Sequence, residues 1–208
     1  MIFAAILFLF GFTIFAQELK PIQLPAPQTD IGNNLMQALK NRQSARTFID
    51  KPLPMQELSN LLFAAYGINR PEAGKRTAPS AMNWQEYDIY VVMKEGAFIW
   101  DASKNLLNPV AAGDLREATG VQSFVKSASV NLVYVADLKK VSRAESDDSK
   151  LFVYTDCGFI AQNTYLYCAS AGIAARVRGL VDRDKLSKLL NLRPEQKIVL
   201  CHSIGYDK

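Results

Sequence analysis

Histidine is all but missing from this chain of 208 residues, which carries His202 alone. Cysteine is nearly as scarce: Cys157, Cys168 and Cys201 form no CxxC pair, so a zinc centre has no ligand set to stand on. No Gly-x-Ser-x-Gly elbow occurs, and a Ser–His–Asp triad would have to use His202, whose strand-like surroundings read as those of a hydrogen-bonded structural residue. No Gly-x-Gly-x-x-Gly fingerprint occurs either, which removes a Rossmann dinucleotide site. The stretch Gly74-Lys75-Arg76-Thr77 falls short of a P-loop, with Arg76 where the magnesium-binding hydroxyl belongs and Asn69 where the first glycine belongs. There is no run of Lys or Arg to mark a nucleic-acid surface. The net charge of +4, from 24 basic and 20 acidic residues, still leaves room for a small anion such as a phosphate.

The cysteines do not make a disulfide framework. Cys157 and Cys168 fall on one predicted helix, roughly 16 Å apart along its axis, whereas a disulfide needs alpha carbons within about 7 Å. They read as buried thiols acting as small apolar residues.

A hydrophobic fraction of 49% and a charged fraction of 21% are ordinary for one globular domain with its own core. Only the N-terminus departs from the average. Met1 to Ala16 is apolar apart from Thr13, and as a helix it would span roughly 24 Å, short of a ~30 Å hydrocarbon core. It reads as a signal peptide cleaved after Ala16, which places the protein in an exported compartment such as a bacterial periplasm. An uncleaved anchor or a cytoplasmic chain with a displaced start is the alternative. Residues 17–30, with Pro21, Pro25 and Pro27, read as a flexible tether.

Beyond Asp30, taken as an N-cap, Ile31, Leu35 and Leu39 share one face of a predicted helix. A second helix opens at Pro54, carries Leu58, Leu61, Leu62 and Ala65, and ends at Gly67. Residues 68–83 form a long polar loop. Strands are predicted over Tyr87–Met93, Phe98–Trp100, Ser129–Ala136, Ala174–Arg178 and Lys197–Ile204. Short helices broken by Pro109, Gly113 and Gly120 fill Ala102–Val125. The longest helix runs from Lys150 to Ala171 with Gly172 ending it, and another covers Asp182–Asn191. Helices and strands intermix without strict alternation, which gives an α+β fold with helices on a mostly antiparallel sheet.

With so few acid–base side chains, chemistry would fall to a cofactor, and two clusters could hold one. Arg42-Gln43-Ser44-Ala45-Arg46 puts two guanidinium forks and a hydroxyl within five residues, able to converge on a dianionic phosphate or simply to favour a helix C-terminus. Thr77-Ala78-Pro79-Ser80-Ala81-Met82-Asn83 is a stiffened loop of small residues, open to a flat ring, with Asn83 able to donate and accept at a heteroaromatic edge. An ordinary turn into a strand is its other reading.

In this order the clusters resemble the nitroreductase family of FMN enzymes. The family pattern continues with a long helix bearing Asp…Gln-Asn, here Asp156 to Gln162-Asn163, and a Gly–strand–Gly segment, here Gly172 through Arg178-Gly179. The resemblance covers residues 35–206, and Asn69-Arg70 with Arg76 to Ala81 looks most similar to the branch of thiazoline and oxazoline dehydrogenases. It implies an intertwined homodimer with FMN at the interface, built from an FMN-binding domain over residues 31–208. Arg42, Gln43, Ser44 and Arg46 would hold the phosphate and ribityl chain. Pro79, Ser80, Ala81 and Asn83 of the other subunit would line the isoalloxazine, and the Arg178–Gly179 backbone would offer an N–H near its reactive nitrogen. The long helix around Gln162 and Asn163 would build the dimer core, with a purely intramolecular core helix as the other reading. Of the family's basic residue beyond the last strand, Lys208 is what remains for the phosphate, and any exchange of segments between subunits falls to the N-terminal arm.

No dedicated catalytic side chain is implied: a nitro, quinone or other conjugated substrate would stack on the flavin and receive hydride directly. An exported chain would need a donor other than a nicotinamide cofactor. A flavin carrier without turnover of its own and a structural envelope protein that has lost its cofactor are the competing functions.

Overall fold

The chain's most regular apolar segment becomes the centre of the molecule. In the computed structural model, which describes residues 18–207, Val130 to Asp137 form a strand whose eight residues are all buried. Alternate side chains enter two different cores, Val130, Leu132, Tyr134 and Ala136 on one face and Val133 and Val135 on the other.

In chain order the elements are β1 (Ile22–Gln23), α1 (Leu35–Asn41), α2 (Met55–Tyr66), β2 (Ile68–Arg70), β3 (Lys75–Arg76), β4 (Tyr87–Val92), β5 (Gly96–Asp101), β6 (Leu106–Ala112), β7 (Val130–Asp137), α3 (Asp147–Ala171), β8 (Ala174–Arg178), α4 (Arg183–Leu189) and β9 (Gln196–Gly205). Seven strands form one antiparallel sheet in the order β1-β6-β5-β4-β7-β9-β8, while β2 and β3 make a separate hairpin. The expected α+β fold with a mainly antiparallel sheet is what the chain adopts.

Helices α2 and α3 cover one face. Pro54 precedes α2 as its cap residue, and Leu58, Leu61, Leu62 and Ala65 are buried as their spacing predicted. Helix α3 begins at a Ser146 cap whose side chain accepts the Ser149 N–H, and ends at Gly172 in the left-handed conformation at φ 68°. Val153, Cys157, Ile160, Tyr165 and Cys168 face the core, but Leu151, Phe152, Tyr154 and Phe159 on the same helix stay exposed. The three thiols are free and buried. Among the described residues no helix is long and apolar enough to cross a membrane, and Met1–Ala16 lies outside them.

Four sequence expectations need correction. Residues 18–28 are not a free tether: β1 pairs with β6, Leu24 is buried with its N–H on the Asn105 carbonyl, and the Pro25 carbonyl accepts from Ser59 Oγ and Asn105 Nδ2. The first helix starts not after Asp30 but after Asn34, whose side chain accepts the Gln37 N–H at 3.0 Å. Gly32, at φ 87°, lies so close to Ser170 on α3 that a side chain would collide with it, and the chain turns there before becoming helical. Leu35, Met36 and Leu39 consequently stay exposed.

Residues 102–125 hold a strand, β6, followed by 3-10 turns at Arg116–Thr119 and Ser123–Lys126, rather than a series of short helices. Pro109 is tolerated because β1 pairs only with Leu106 and Leu107, leaving the outer edge of β6 without a strand partner at Pro109 among the described residues. The expected loop over 68–83 contains the β2–β3 hairpin, turned by Gly74 at φ 59°. Substituting Leu24→Ala should cost about 2–4 kcal/mol in denaturant unfolding if β1 is docked as described, against less than about 0.5 kcal/mol for a free tether.

Candidate functional site

Arg42 caps the end of helix α1, and the next residues run under the C-terminal half of α3. Tyr165 organises this corner. Its hydroxyl is 2.8 Å from Ser44 Oγ and accepts the Val177 N–H of β8 at 2.8 Å. The Arg42 guanidinium lies over its ring at 5.4 Å from the centroid. Ala45 donates its N–H to the Ala175 carbonyl, and Arg176 donates to the Ala45 carbonyl at 3.3 Å. Gln43 and Tyr165 line a cavity of 290 Å³ here, together with Asn41, Ala45, Ala174 and Ala175. Arg46 is exposed, and among the described residues neither Arg42 nor Arg46 belongs to a salt bridge. The corner therefore offers guanidinium and hydroxyl donors beside a cavity that the Asp207 carboxylate, an acceptor for the Thr47 hydroxyl, also lines.

The second cluster sits elsewhere on the chain. Pro79, Ser80 and Asn83 line a cavity of 340 Å³ with Arg70, Lys75 and Arg76, sharing no residue with the first. Met82, Asn83 and Gln85 adopt left-handed backbone at φ 49°, 57° and 47°. Non-glycine residues rarely hold this conformation unless their surroundings fix it. Here Ser80 Oγ accepts the Gln85 N–H at 3.0 Å, Gln85 Nε2 donates to Gly74 O and Asn83 Oδ1, and Arg76 Nε donates to Gln85 Oε1 at 2.8 Å. Asp156 on α3 accepts the Ala81 N–H at 2.8 Å. Met82 at the tip is 80% exposed.

Of the remaining expected residues, Arg178 is buried and its side chain is spent inside the fold. It donates from Nε to Ser203 Oγ at 3.0 Å and from Nη2 to Asn131 Oδ1 at 2.7 Å, and it also holds the Thr119 carbonyl and hydroxyl. Gly179 is exposed just beyond the strand. Lys208 lies outside the described residues. Gln162 is exposed and Asn163 half-buried on the outer side of α3.

Sequence reasoning missed Tyr165, Arg176, Glu86 and the acceptor role of Asp156. Arg176 had a signal, since it alternates with Arg178 along β8 and lies on the same side of the strand. Tyr165 had none, because its contact to Ser44 spans 121 positions of sequence.

The buried groups behind these clusters are held neutral. Burial, reinforced by the nearby Arg178 charge, pulls His202 down to about 3, with Nδ1 3.1 Å from the Tyr134 hydroxyl and Tyr165 against its ring. Burial pushes Glu86 up to about 7, with the neighbouring Asp156 adding to the effect. Thiols Cys157 and Cys201 are pushed up to about 12 and about 11 by burial, so neither is a ready nucleophile. Among the described residues no group of His, Cys, Asp and Glu could hold a metal ion. A wider depression of 960 Å³ between α3, α4 and β9 contains none of the expected site residues.

A seven-stranded antiparallel sheet under a long helix, with an arginine–hydroxyl corner and a strained small-residue loop, defines a mixed α+β scaffold. The family model for the nitroreductases matches residues 39–206, and the chain belongs to that family, whose members are oxidoreductases that generally bind flavin. A nitroreductase-like protein of Methanocaldococcus jannaschii is 30% identical over 183 residues, covering 83% of this chain and 90% of that protein. The crystal structure of a nitroreductase-like protein of Ralstonia eutropha superposes with a TM-score of 0.86 at 38% identity, covering 91% of this chain and 90% of that one. A chain of the Escherichia coli microcin synthetase complex has a TM-score of 0.72 at 17% identity, covering 100% of this chain and 85% of that one. That last likeness is one of fold and does not select the azoline dehydrogenase branch within the family.

The neutral His202 makes a pH statement. Its ordinary value is 6.5 and its folded value about 3, so the folded state binds fewer protons between these limits. Its contribution is present above pH 6.5 and lost as the pH falls, by up to about 1.4 kcal/mol per pH unit. Thermal unfolding should show an acid limb that is shallower in His202→Asn than in the wild type.

Proposed function

We propose that the chain is an FMN-dependent oxidoreductase that passes electrons from a reductant to a small nitro, quinone or other conjugated acceptor, acting as a homodimer. The observation that carries this reading is the Arg42–Ser44–Arg46 corner. Two guanidiniums without a salt bridge flank a hydroxyl fixed on Tyr165, which suits the terminal phosphate of FMN. Gln43 would extend that grip along the ribityl chain, with Arg176, which donates to the Ala45 carbonyl, and Lys208 as further candidates.

Homodimerisation accounts for two further features. The loop of Pro79, Ser80, Ala81 and Asn83 opens into a different cavity from the arginine corner. Two subunits could bring one corner against the other's loop. The exposed Leu35, Met36 and Leu39 on α1, and Leu151, Phe152, Tyr154 and Phe159 on α3, supply an apolar surface of the kind that a partner covers.

Bound flavin supplies the two-electron transfer. The protein's part would be to hold it: Arg42 and Arg46 would neutralise the phosphate, the strained loop would present backbone and Asn83 to the ring edge, and the Arg178–Gly179 backbone would offer an N–H near the reactive ring nitrogen. Direct transfer to a stacked acceptor needs no acid–base residue in the cavity. We propose export through Met1–Ala16, and with it a donor other than a nicotinamide cofactor.

Purified protein should be yellow, or become so with FMN, and sediment as a dimer. Replacing Arg42 or Arg46 by alanine should weaken FMN binding by about 10- to 100-fold each, since a charge-assisted hydrogen bond contributes about 1.5–3 kcal/mol. Steady-state reduction of quinones and nitroaromatics with several reductants separates an enzyme from a flavin carrier. A dimer that stays colourless after incubation with excess FMN overturns the proposal.

A further inference from the structure

Beneath the strained loop lies a pair of carboxyl groups that the flavin reading does not use. Glu86, the residue before β4, is completely buried, and neither of its carboxyl oxygens meets a hydrogen-bond donor. A buried carboxylate without a donor is among the costliest groups a fold can contain. Asp156, buried on α3, faces it and spends Oδ2 on the Ala81 N–H at 2.8 Å. If both groups were ionised, two negative charges would oppose each other in a dry site. A proton on Glu86 resolves this: its O–H donates to Asp156, and Asp156, still anionic, accepts from both Glu86 and Ala81.

We propose that Glu86 and Asp156 share one proton beneath Ala81 and are positioning residues, a clamp that fixes the Pro79–Asn83 wall of the flavin site and loosens when that proton is lost. The proposal rests on the flavin reading for the identity of the wall, but not for the existence of the clamp.

The surroundings offer a second charge almost no compensation. From α2 the pair is faced by Tyr66, whose buried hydroxyl has no partner and whose ring lies under the Arg76 guanidinium. From β4 it is faced by Tyr87, whose hydroxyl donates to the Val153 carbonyl at 2.7 Å. From α3 it is faced by Cys157, which burial holds neutral. The turn after β7 brings Lys140, whose ammonium is engaged at 3.1 Å by Asp88 and reaches the Gln85 carbonyl at 3.4 Å. Loss of the shared proton thus leaves two carboxylates repelling each other, with Asp156 tied to the loop. The residue it holds, Ala81, directly precedes Met82 and Asn83, which sit in left-handed backbone, so loosening Ala81 removes one of the bonds that oppose their local preference.

The sign follows from the direction of the shift. Glu86 holds its proton in the folded chain up to about 7 against an ordinary 4.5. Folded protein therefore binds more protons across that window, and stability falls as the pH rises through it. The loop loosens as the pH passes above the upper limit.

The test compares wild type with Glu86→Gln, whose amide keeps a donor for Asp156 but cannot titrate. Infrared difference spectra of wild type should show the carbonyl band of a protonated carboxylic acid at pH 6 that is lost by pH 9 and missing in E86Q. Exchange of the Ala81 amide, corrected for its intrinsic rate, should accelerate about tenfold over the same interval in wild type and stay within about twofold in E86Q. FMN binding should weaken in parallel, about tenfold in wild type and hardly at all in E86Q. Absence of the band at pH 6, or an E86Q variant with the wild-type pH response, overturns the clamp. Failure to bind FMN at any pH overturns the flavin reading instead, while the band and the amide exchange still decide the clamp.

Discussion

Burial of β7 on both faces is the constraint from which the architecture follows. A strand with all eight residues out of water requires two cores, and the chain can supply them only by placing helices on opposite sides of the sheet. Helices α2 and α3 take one side. Helix α4 packs on the other, with Leu186 and Leu190 fully enclosed. The polar residues of β7 are tolerated because each is partnered: Asn131 accepts from Arg178 and Ser203 and donates to the Val125 carbonyl, while Asp137 accepts from Arg193 at 2.6 Å. Arg178 is therefore a structural strut. Its burial lowers its affinity for protons, and its charge helps keep His202 neutral.

That same burial places the site. Tyr134 on β7 reaches Thr164 of α3 and His202 of β9, and His202 packs edge-on against Tyr165. Tyr165 in turn carries Ser44 and the β8 backbone. A continuous line of packed polar side chains thus runs from the sheet interior to the arginine corner. The corner's hydroxyl is as well fixed as the core behind it, which is the pre-organisation a binding site needs. The second cluster is supported differently: its loop has unfavourable backbone held by hydrogen bonds from Asp156, Ser80, Arg76 and Gly74. One half of the site is stiff because it rests on aromatic packing, the other because several polar bonds overrule local preference.

Much of this was legible in the residues. Strand β8 falls where the sequence placed it, and Gly172 ends α3 in the left-handed conformation that glycine favours, while Gly67 ends α2 in extended backbone. Both clusters were identifiable because they are contiguous in sequence. What could not be read depended on partners far away. Leu24 and Pro25 look like linker residues until Ser59 and Asn105 take up the backbone beside them. Pro109 argues against a strand until the edge position of β6 makes its missing donor harmless. Asp30 is as good a helix cap as Asn34, and only the approach of Gly32 to Ser170 decides between them. Glu86, in a polar stretch before a strand, carries no mark of its burial. Charged side chains are so seldom enclosed that the sequence prior points the wrong way.

On the proposed function, the two halves of the site and the apolar faces of α1 and α3 belong to one problem. An arginine corner placed to bind phosphate but without the ring-lining loop beside it would have only part of FMN to grip. A loop that lines the ring but lacks the phosphate donors has the other part. Each is weak alone, because ordering and desolvation costs are met by few contacts. Joined across subunits they would act on a single ligand, and the affinity for flavin would then contain the affinity of the subunits for each other. Any ligand that binds only the assembled form stabilises it by mass action. On that reading the exposed Leu35, Met36, Leu151 and Tyr154 would contribute to flavin affinity through the dimer, although none of them lines either cavity.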